Sequence, residues 1–182
     1  MQKEINTCIN VLKQGGTILY PTDTIWGIGC DATNIEAVEK IKKIKNRTAQ
    51  KSLIILVDTR SRLKTIINTK YNINYPNLKP TTIIYPKVYK IAKNILAEDG
   101  SCGIRIPEDE FCKKLIKQFG YPITSTSANI SREGTPRKFS EINQAVLKDV
   151  DYIVNLRREE IMETPSKIIK IDDIGNIKVI RE

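Results

Sequence analysis

Tyr121-Pro122-Ile123-Thr124-Ser125-Thr126-Ser127-Ala128-Asn129-Ile130-Ser131 is the stretch on which the reading of this chain turns. Six of the eight residues from Thr124 to Ser131 carry a side-chain hydroxyl or amide, and an apolar, β-prone approach precedes them. A buried strand disfavours so many polar side chains, because each needs a partner once desolvated. A disordered linker is not entered through an apolar strand. The pattern predicts a strand that ends in a binding loop, with hydroxyls, an amide and backbone N–H groups facing a polar ligand. Lys45 and Arg47, about eighty residues upstream, supply cations for the same ligand if the fold joins the two segments. The expected ligand is an anion, with a nucleotide the leading choice.

The rest of the chain alternates helix and strand signals. Ile5, Cys8, Ile9 and Leu12 recur at helical spacing before Gly15-Gly16, and Thr17 to Tyr20 forms a short strand stopped by Pro21. Thr33 and Glu36 suit a capping box for a helix carrying Val38, Ile41 and Ile44. Ser52 to Val57 is a nearly continuous apolar run, as in a strand covered on both faces. Leu63, Ile66 and Ile67 suggest a short helix before an Asn-rich connection. Thr81 to Tyr85 and Cys102 to Ile106 read as strands bounded by prolines, with weak helical periodicity from Val88 to Leu96 between them. Asp109 caps a helix carrying Phe111, Leu115, Ile116 and Phe119, with Gly120 at its end. Ser140 caps another with Ile142, Ala145 and Val146. Strands follow at Tyr152 to Asn155 and Lys167 to Ile171, and Asp173-Ile174-Gly175-Asn176 turns the chain into a hairpin with Ile177 to Arg181. The expected architecture is α/β, one domain spanning residues 1–182, with a mixed sheet and flanking helices.

Composition narrows the chemistry. The 182 residues include 40% apolar and 28% charged, values of a globular protein whose core needs no staple. No apolar run approaches the length of a membrane span, the N-terminus lacks a secretion-signal layout, and Cys8, Cys30, Cys102 and Cys112 contain no C-x-x-C pair. The cysteines read as reduced core residues of a cytoplasmic protein. Thirty Lys/Arg against 21 Asp/Glu give a formal charge of +9, which favours nucleotide or RNA partners but also describes a lysine-rich solvated surface. The chain has no histidine, which excludes Ser-His triads, imidazole general bases and His-ligated metals.

The turn Tyr20-Pro21-Thr22-Asp23-Thr24-Ile25-Trp26-Gly27-Ile28-Gly29 offers hydroxyls and close backbone approach, yet matches neither a P-loop nor a dinucleotide fingerprint. Alone it reads as a tight turn, with Trp26 in the core. Lys45, Arg47 and Lys51 follow a helix C-terminus, where cations complement the macrodipole without any ligand. Arg105 sits between Ile104 and Ile106 in an apolar strand, where alternation also allows it a solvent-facing position.

Taken in order, Tyr20-Pro21-Thr22-Asp23-Thr24 with Trp26-Gly27-Ile28-Gly29, Lys45-x-Arg47, Arg105-x-Pro107, and Thr126-Ser127-Ala128-Asn129 with Ser131 resemble the YrdC-like threonylcarbamoyl-AMP synthases. The likeness runs from about residue 13 to the C-terminus. It implies a twisted α/β sheet with a basic, concave active-site surface. It implies a nucleotidyltransferase that uses L-threonine, bicarbonate and ATP, in which carbamoylated threonine attacks the α-phosphorus to give threonylcarbamoyl-AMP and pyrophosphate. Partner proteins would then carry the threonylcarbamoyl group to N6 of adenosine 37 in tRNA. By the same resemblance Lys45, Arg47, Ser127 and Asn129 form a catalytic tetrad on the ATP phosphates and the reacting carboxylate. Thr82, Ser131 and Arg181 would join the ATP contacts, and Thr24, Lys51, Arg105 and Ser166 would place threonine. Mg²⁺ would arrive with ATP, held by phosphates and water rather than by a protein metal site.

Several positions depart from the family pattern. Asn77-Leu78-Lys79-Pro80-Thr81-Thr82 stands in place of a Pro-Gly-Pro-x-Thr run, Ser52 in place of Pro, Arg132 in place of Gly, and Lys167 in place of Thr. The trailing Gly after Arg181 is missing, and the length leaves no room for the extra C-terminal domain of longer members. Two alternatives stand beside the synthase reading. One is a non-catalytic RNA-binding module, disfavoured by 6% aromatic content and the lack of an RNA-binding motif. The other is a diverged relative that binds ATP but uses another acceptor.

Overall fold

A computed structural model of the chain describes residues 1–46, 53–68, 80–131 and 133–182. The elements run α1 (Gln2–Lys13), β1 (Ile18–Tyr20), β2 (Gly27–Gly29), α2 (Ile35–Ile44), β3 (Ile54–Leu56), α3 (Arg60–Ile66), β4 (Thr81–Tyr85), β5 (Cys102–Arg105), α4 (Glu110–Phe119), β6 (Ile123–Ser127), α5 (Gln144–Asp149), β7 (Tyr152–Ile153), β8 (Lys167–Ile171) and β9 (Ile177–Arg181). Among the described residues the strands form one twisted, mixed sheet in the order β7-β1-β2-β6-β3-β5-β4-β8-β9. The pairs β1/β7, β3/β5 and β4/β8 are parallel and the others antiparallel.

β6 joins the two halves of the sheet. Its Thr126 and Ser127 pair with Ile28 and Gly27 of β2, while Ile123 to Ser125 pair with Leu56 to Ile54 of β3. The hydroxyl-rich stretch is therefore a central strand as far as Ser127, and the binding-loop expectation holds only beyond it. Local pairing resolves the objection to burying hydroxyls. Thr124, fully buried, accepts the Cys30 amide on Oγ1 at 2.9 Å, standing in for a backbone acceptor where β2 ends.

Strand alternation sorts side chains into two cores. One face, with Leu19, Ile28, Ile55 and Ile104, packs under α2, α3 and α5. The other face, with Ile18, Tyr20, Leu56 and Ile123, packs under α1 and α4, whose apolar faces also meet each other. α4 follows directly from its sequence: Asp109 Oδ1 accepts the Cys112 amide at 2.8 Å, and Gly120 closes the helix at φ +92°. All four cysteines are buried and free.

Four local expectations need correction. The N-cap of α2 is Asn34, whose Oδ1 accepts the Ala37 amide at 3.0 Å; Asp31 instead ties down Thr33. The Val88 to Leu96 periodicity yields only a 3₁₀ turn at Lys93–Ile95, because Val88 bridges Ile67 and Lys90 adopts φ +57°. Phe139–Glu141 is another 3₁₀ turn, and α5 begins after Asn143, which caps it in place of Ser140. The turn after Tyr20 contains β2, a strand too short and glycine-rich to show periodicity. Ser52 lies outside the described residues, and β3 starts at Ile54.

Candidate active site

α1 and α4 cover only part of their face of the sheet. Along β6, Ser125 and Ser127 share that face with the core residue Ile123 but lie past the helices. Ile54 stands likewise beyond Leu56, and β4 and β8 present Thr82 and Ile168 as a cross-strand pair. This uncovered part forms a cavity of about 210 Å³, lined by Thr24, Gly27, Ile54, Thr82, Arg105, Ser125, Ser127, Thr135, Ser166 and Arg181 among others. Six residues expected from the sequence (Thr24, Thr82, Arg105, Ser127, Ser166 and Arg181) thus border one space, brought there from well-separated parts of the chain.

Next to Ser127, Lys45 ends α2 and is only 3% exposed; it, Asn129 and Ser131 are not among the residues that line the cavity. Its ammonium donates to the Ser127 carbonyl, to the Asn129 carbonyl at 2.6 Å and to Asn129 Oδ1 at 3.4 Å. Ser127 Oγ donates to the same Oδ1, while Asn129 Nδ2 reaches the carbonyls of Ile130 and Glu133. The Ser131 amide closes the ring on the Lys45 carbonyl at 2.9 Å. Lys45, Ser127, Asn129 and Ser131 are therefore one interlocked unit that fixes the chain leaving β6. Arg47 and Lys51 lie outside the described residues, as do Leu78 and Arg132.

In the middle, Arg105 is 3% exposed and its Nη1 is ion-paired with Asp23 Oδ1. Asp23 Oδ2 also accepts the Glu108 amide at 3.0 Å. The Arg105 Nε is fully buried and meets no acceptor among the described residues. Alternation did not turn Arg105 to solvent; it turned it into the cavity. Beside it Thr22 Oγ1 and Thr24 Oγ1 share a hydrogen bond of 2.9 Å. At the far end Thr82 Oγ1 and Ser166 Oγ lie 2.8 Å apart, and Arg181 donates to the Ser166 carbonyl from Nε and Nη2 at 3.1 and 2.6 Å. Partial burial lowers the Arg181 pKa below its usual value. Lys167 alternates away from the cavity and pairs with Glu182.

The connection from β7 to β8 runs along the rim. Arg157, at φ +54°, ties Asp109, Glu160 and the Thr22 carbonyl together. Arg158 stacks on Phe139 at 4.4 Å, and Phe139 packs on Trp26 at 5.2 Å. A neighbouring space of about 320 Å³ opens between Thr22 to Thr24 and this rim.

Sequence reasoning gave no role to Asp23, Ser125, Thr135 or Arg157. Ser125 was accessible through its period-two relation to Ser127. Asp23 carried a weaker signal, a lone carboxylate between two threonines. Arg157 and Thr135 carried none, since their placement depends on long connections.

Chemically the cavity offers hydroxyls and two guanidinium groups. Burial pushes the Cys8, Cys30 and Cys102 thiols up to about 12 and raises that of Cys112 well above its ordinary value, which disfavours a thiolate. Among the described residues no three metal-ligating side chains cluster. Such a set suits holding anions and stabilising charge rather than covalent catalysis.

The Sua5/YciO/YrdC family model, described as "Telomere recombination", matches residues 10–182. The threonylcarbamoyl-AMP synthase of Pseudoalteromonas translucida is 30% identical over 99% of this chain and 98% of its own. Among solved structures, E. coli YciO superposes with a TM-score of 0.81 at 25% identity, covering 100% of this chain and 90% of its own. P. abyssi Sua5 complexed with L-threonine superposes with a TM-score of 0.77 at 24% identity. That match covers 94% of this chain and 52% of the Sua5 chain, so this chain spans about half of Sua5. No helix among the described residues is long and apolar enough to cross a membrane.

Proposed function

The chain belongs to the Sua5/YciO/YrdC family, and from that premise we propose that it is a cytoplasmic threonylcarbamoyl-AMP synthase. In this reading residues 1–182 form one YrdC-like domain that joins L-threonine, bicarbonate and ATP. The observation that carries it is the convergence of Thr24, Arg105, Ser127, Thr82, Ser166 and Arg181 on one cavity, with the buried Arg105 Nε lacking an acceptor among the described residues.

A guanidinium in that state suits the bidentate grip of a carboxylate. Arg105 holds the carboxylate of threonine, with Thr24 and Ser166 beside it and Lys51 assigned there by the family resemblance. The threonine amine adds to the carbon of CO₂, which bicarbonate yields by losing hydroxide, and gives up a proton to form a carbamate, with the net loss of one water. A carbamate oxygen then attacks the α-phosphorus of ATP, and the bond to the bridging oxygen breaks as pyrophosphate leaves. This nucleotidyl transfer needs positioning and charge stabilisation and no protein nucleophile. Ser127 and Ser131 face the phosphates, with Arg47 assigned there by the family resemblance and Thr82 and Arg181 at the nucleotide end. Lys45 and Asn129 act on the same phosphates through the loop they brace. Mg²⁺ enters with ATP on phosphate and water oxygens. The product would be passed to proteins that modify adenosine 37 of tRNA.

The test is pyrophosphate release by the purified chain. Release that requires threonine and bicarbonate together, with threonylcarbamoyl-AMP detected by mass spectrometry, is the expected result. ATP turnover indifferent to threonine would refute the reading.

A further inference from the structure

We propose that Asp23 is a positioning residue that selects which edge of the Arg105 guanidinium meets the substrate carboxylate. The inference rests on the reading that Arg105 binds the carboxylate of an α-amino acid. A guanidinium offers two bidentate edges, end-on through Nη1 and Nη2 or side-on through Nε and Nη2. Asp23 Oδ1 engages Nη1, one of the two nitrogens of the end-on edge. The Nε stays buried without an acceptor among the described residues, in a residue that lines the cavity. The side-on edge is therefore the one left for a ligand, and a carboxylate matches its two parallel N–H groups.

Asp23 is itself held in place. Its second oxygen accepts the Glu108 amide at 3.0 Å, just before the Asp109 cap of α4. Asp109 Oδ2 accepts from Arg157, which also donates to the carbonyl of Thr22. The carboxylate of Asp23 is thus fixed at both oxygens, and side chains of both Arg105 and Asp23 are at most 10% exposed. The ion pair also supplies a counter-charge for a buried arginine before any substrate arrives, so the cavity need not hold a solvent anion.

The experiment uses the full chain as wild type, D23N and D23E. Initial rates of pyrophosphate release are measured against threonine at saturating ATP and bicarbonate, and threonine and ATP binding are measured separately by calorimetry. A misdirected guanidinium displaces the bound amino acid, so D23N is expected to raise the KM for threonine by about 10–100-fold. ATP affinity should change by less than about twofold, since a lost threonine contact is not a lost ATP contact. D23E, which keeps the charge at a longer reach, should recover part of the lost threonine affinity. Unchanged threonine constants in D23N overturn the role of Asp23, and so does a parallel loss of threonine and ATP affinity. If D23N fails to fold, D23E decides: a selective rise in threonine KM supports the role and an unchanged KM overturns it. A wild-type protein that neither binds nor uses threonine overturns the synthase reading instead, and this inference with it.

Discussion

Replacing Lys45 by Met separates bracing from ligand binding at the turn that follows β6. The Lys45 ammonium is buried and donates to the carbonyls of Ser127 and Asn129. Hydrogen bonds from a charged donor contribute about 1.5–3 kcal/mol each; the Ser127 carbonyl keeps the Asn129 amide as a donor, while a buried carbonyl that loses its donor costs about 1–3 kcal/mol. Met fills much the same volume and removes the desolvation cost of the ammonium, which offsets part of the loss. We expect K45M to be less stable by about 2–4 kcal/mol. For a chain of this size that corresponds to a drop in Tm of about 5–15 °C. Urea denaturation monitored by far-UV circular dichroism, with a thermal melt, measures it. Stability within about 0.5 kcal/mol of wild type, as for an ordinary surface change, would refute the bracing role. Lost turnover at unchanged stability would make Lys45 a phosphate ligand alone.

Other consequences follow from the packing. A Cβ on Gly29 would lie 2.5 Å from the Thr124 carbonyl oxygen and 2.7 Å from Tyr20 Cε1, so Gly29→Ala should destabilise the protein by about 1–3 kcal/mol in the same urea titration. Hydrogen bonds from Ser101 and the neighbouring Lys170 hold the Asp99 carboxyl at about 2, below its ordinary 3.8. A folded-state pKa that is depressed stabilises the fold above the unfolded value; the stability advantage of wild type over Asp99→Asn should therefore shrink from pH 3.8 and vanish by about pH 2. An advantage that persists below that range would argue against the pairing. Because Cys8, Cys30, Cys102 and Cys112 are buried, an alkylating reagent at pH 8 should label none of them until the protein unfolds, as read by intact mass. A rapidly labelled thiol in folded protein would contradict this placement.

The legible parts of the fold were those where one element explains its own residues. α4 shows its cap at Asp109, its apolar spacing and its stop at Gly120, and the structure has all three. β2 was not legible, because the three residues Gly27-Ile28-Gly29 have no period and gain their strand character from Ser127 and Thr126 across the sheet. The same long-range pairing kept β6 a strand through Ser127, where composition alone suggested a loop. At the site, hydroxyl and cationic residues could be picked out by type, yet their convergence depends on sheet order. Arg105 and Asp23 meet across 82 positions of sequence, and Thr82 and Ser166 across 84. Nothing within the segment from Tyr20 to Gly29 indicates that its carboxylate will orient an arginine.

A crystal structure of the chain with ATP and L-threonine tests the central claim most directly. We expect the threonine carboxylate on the Nε–Nη2 edge of Arg105, and the α-phosphorus between that amino acid and the Ser127–Ser131 turn. Threonine bound away from Arg105, or ATP bound outside the cavity bordered by Thr82, Ser127 and Arg181, would contradict the account.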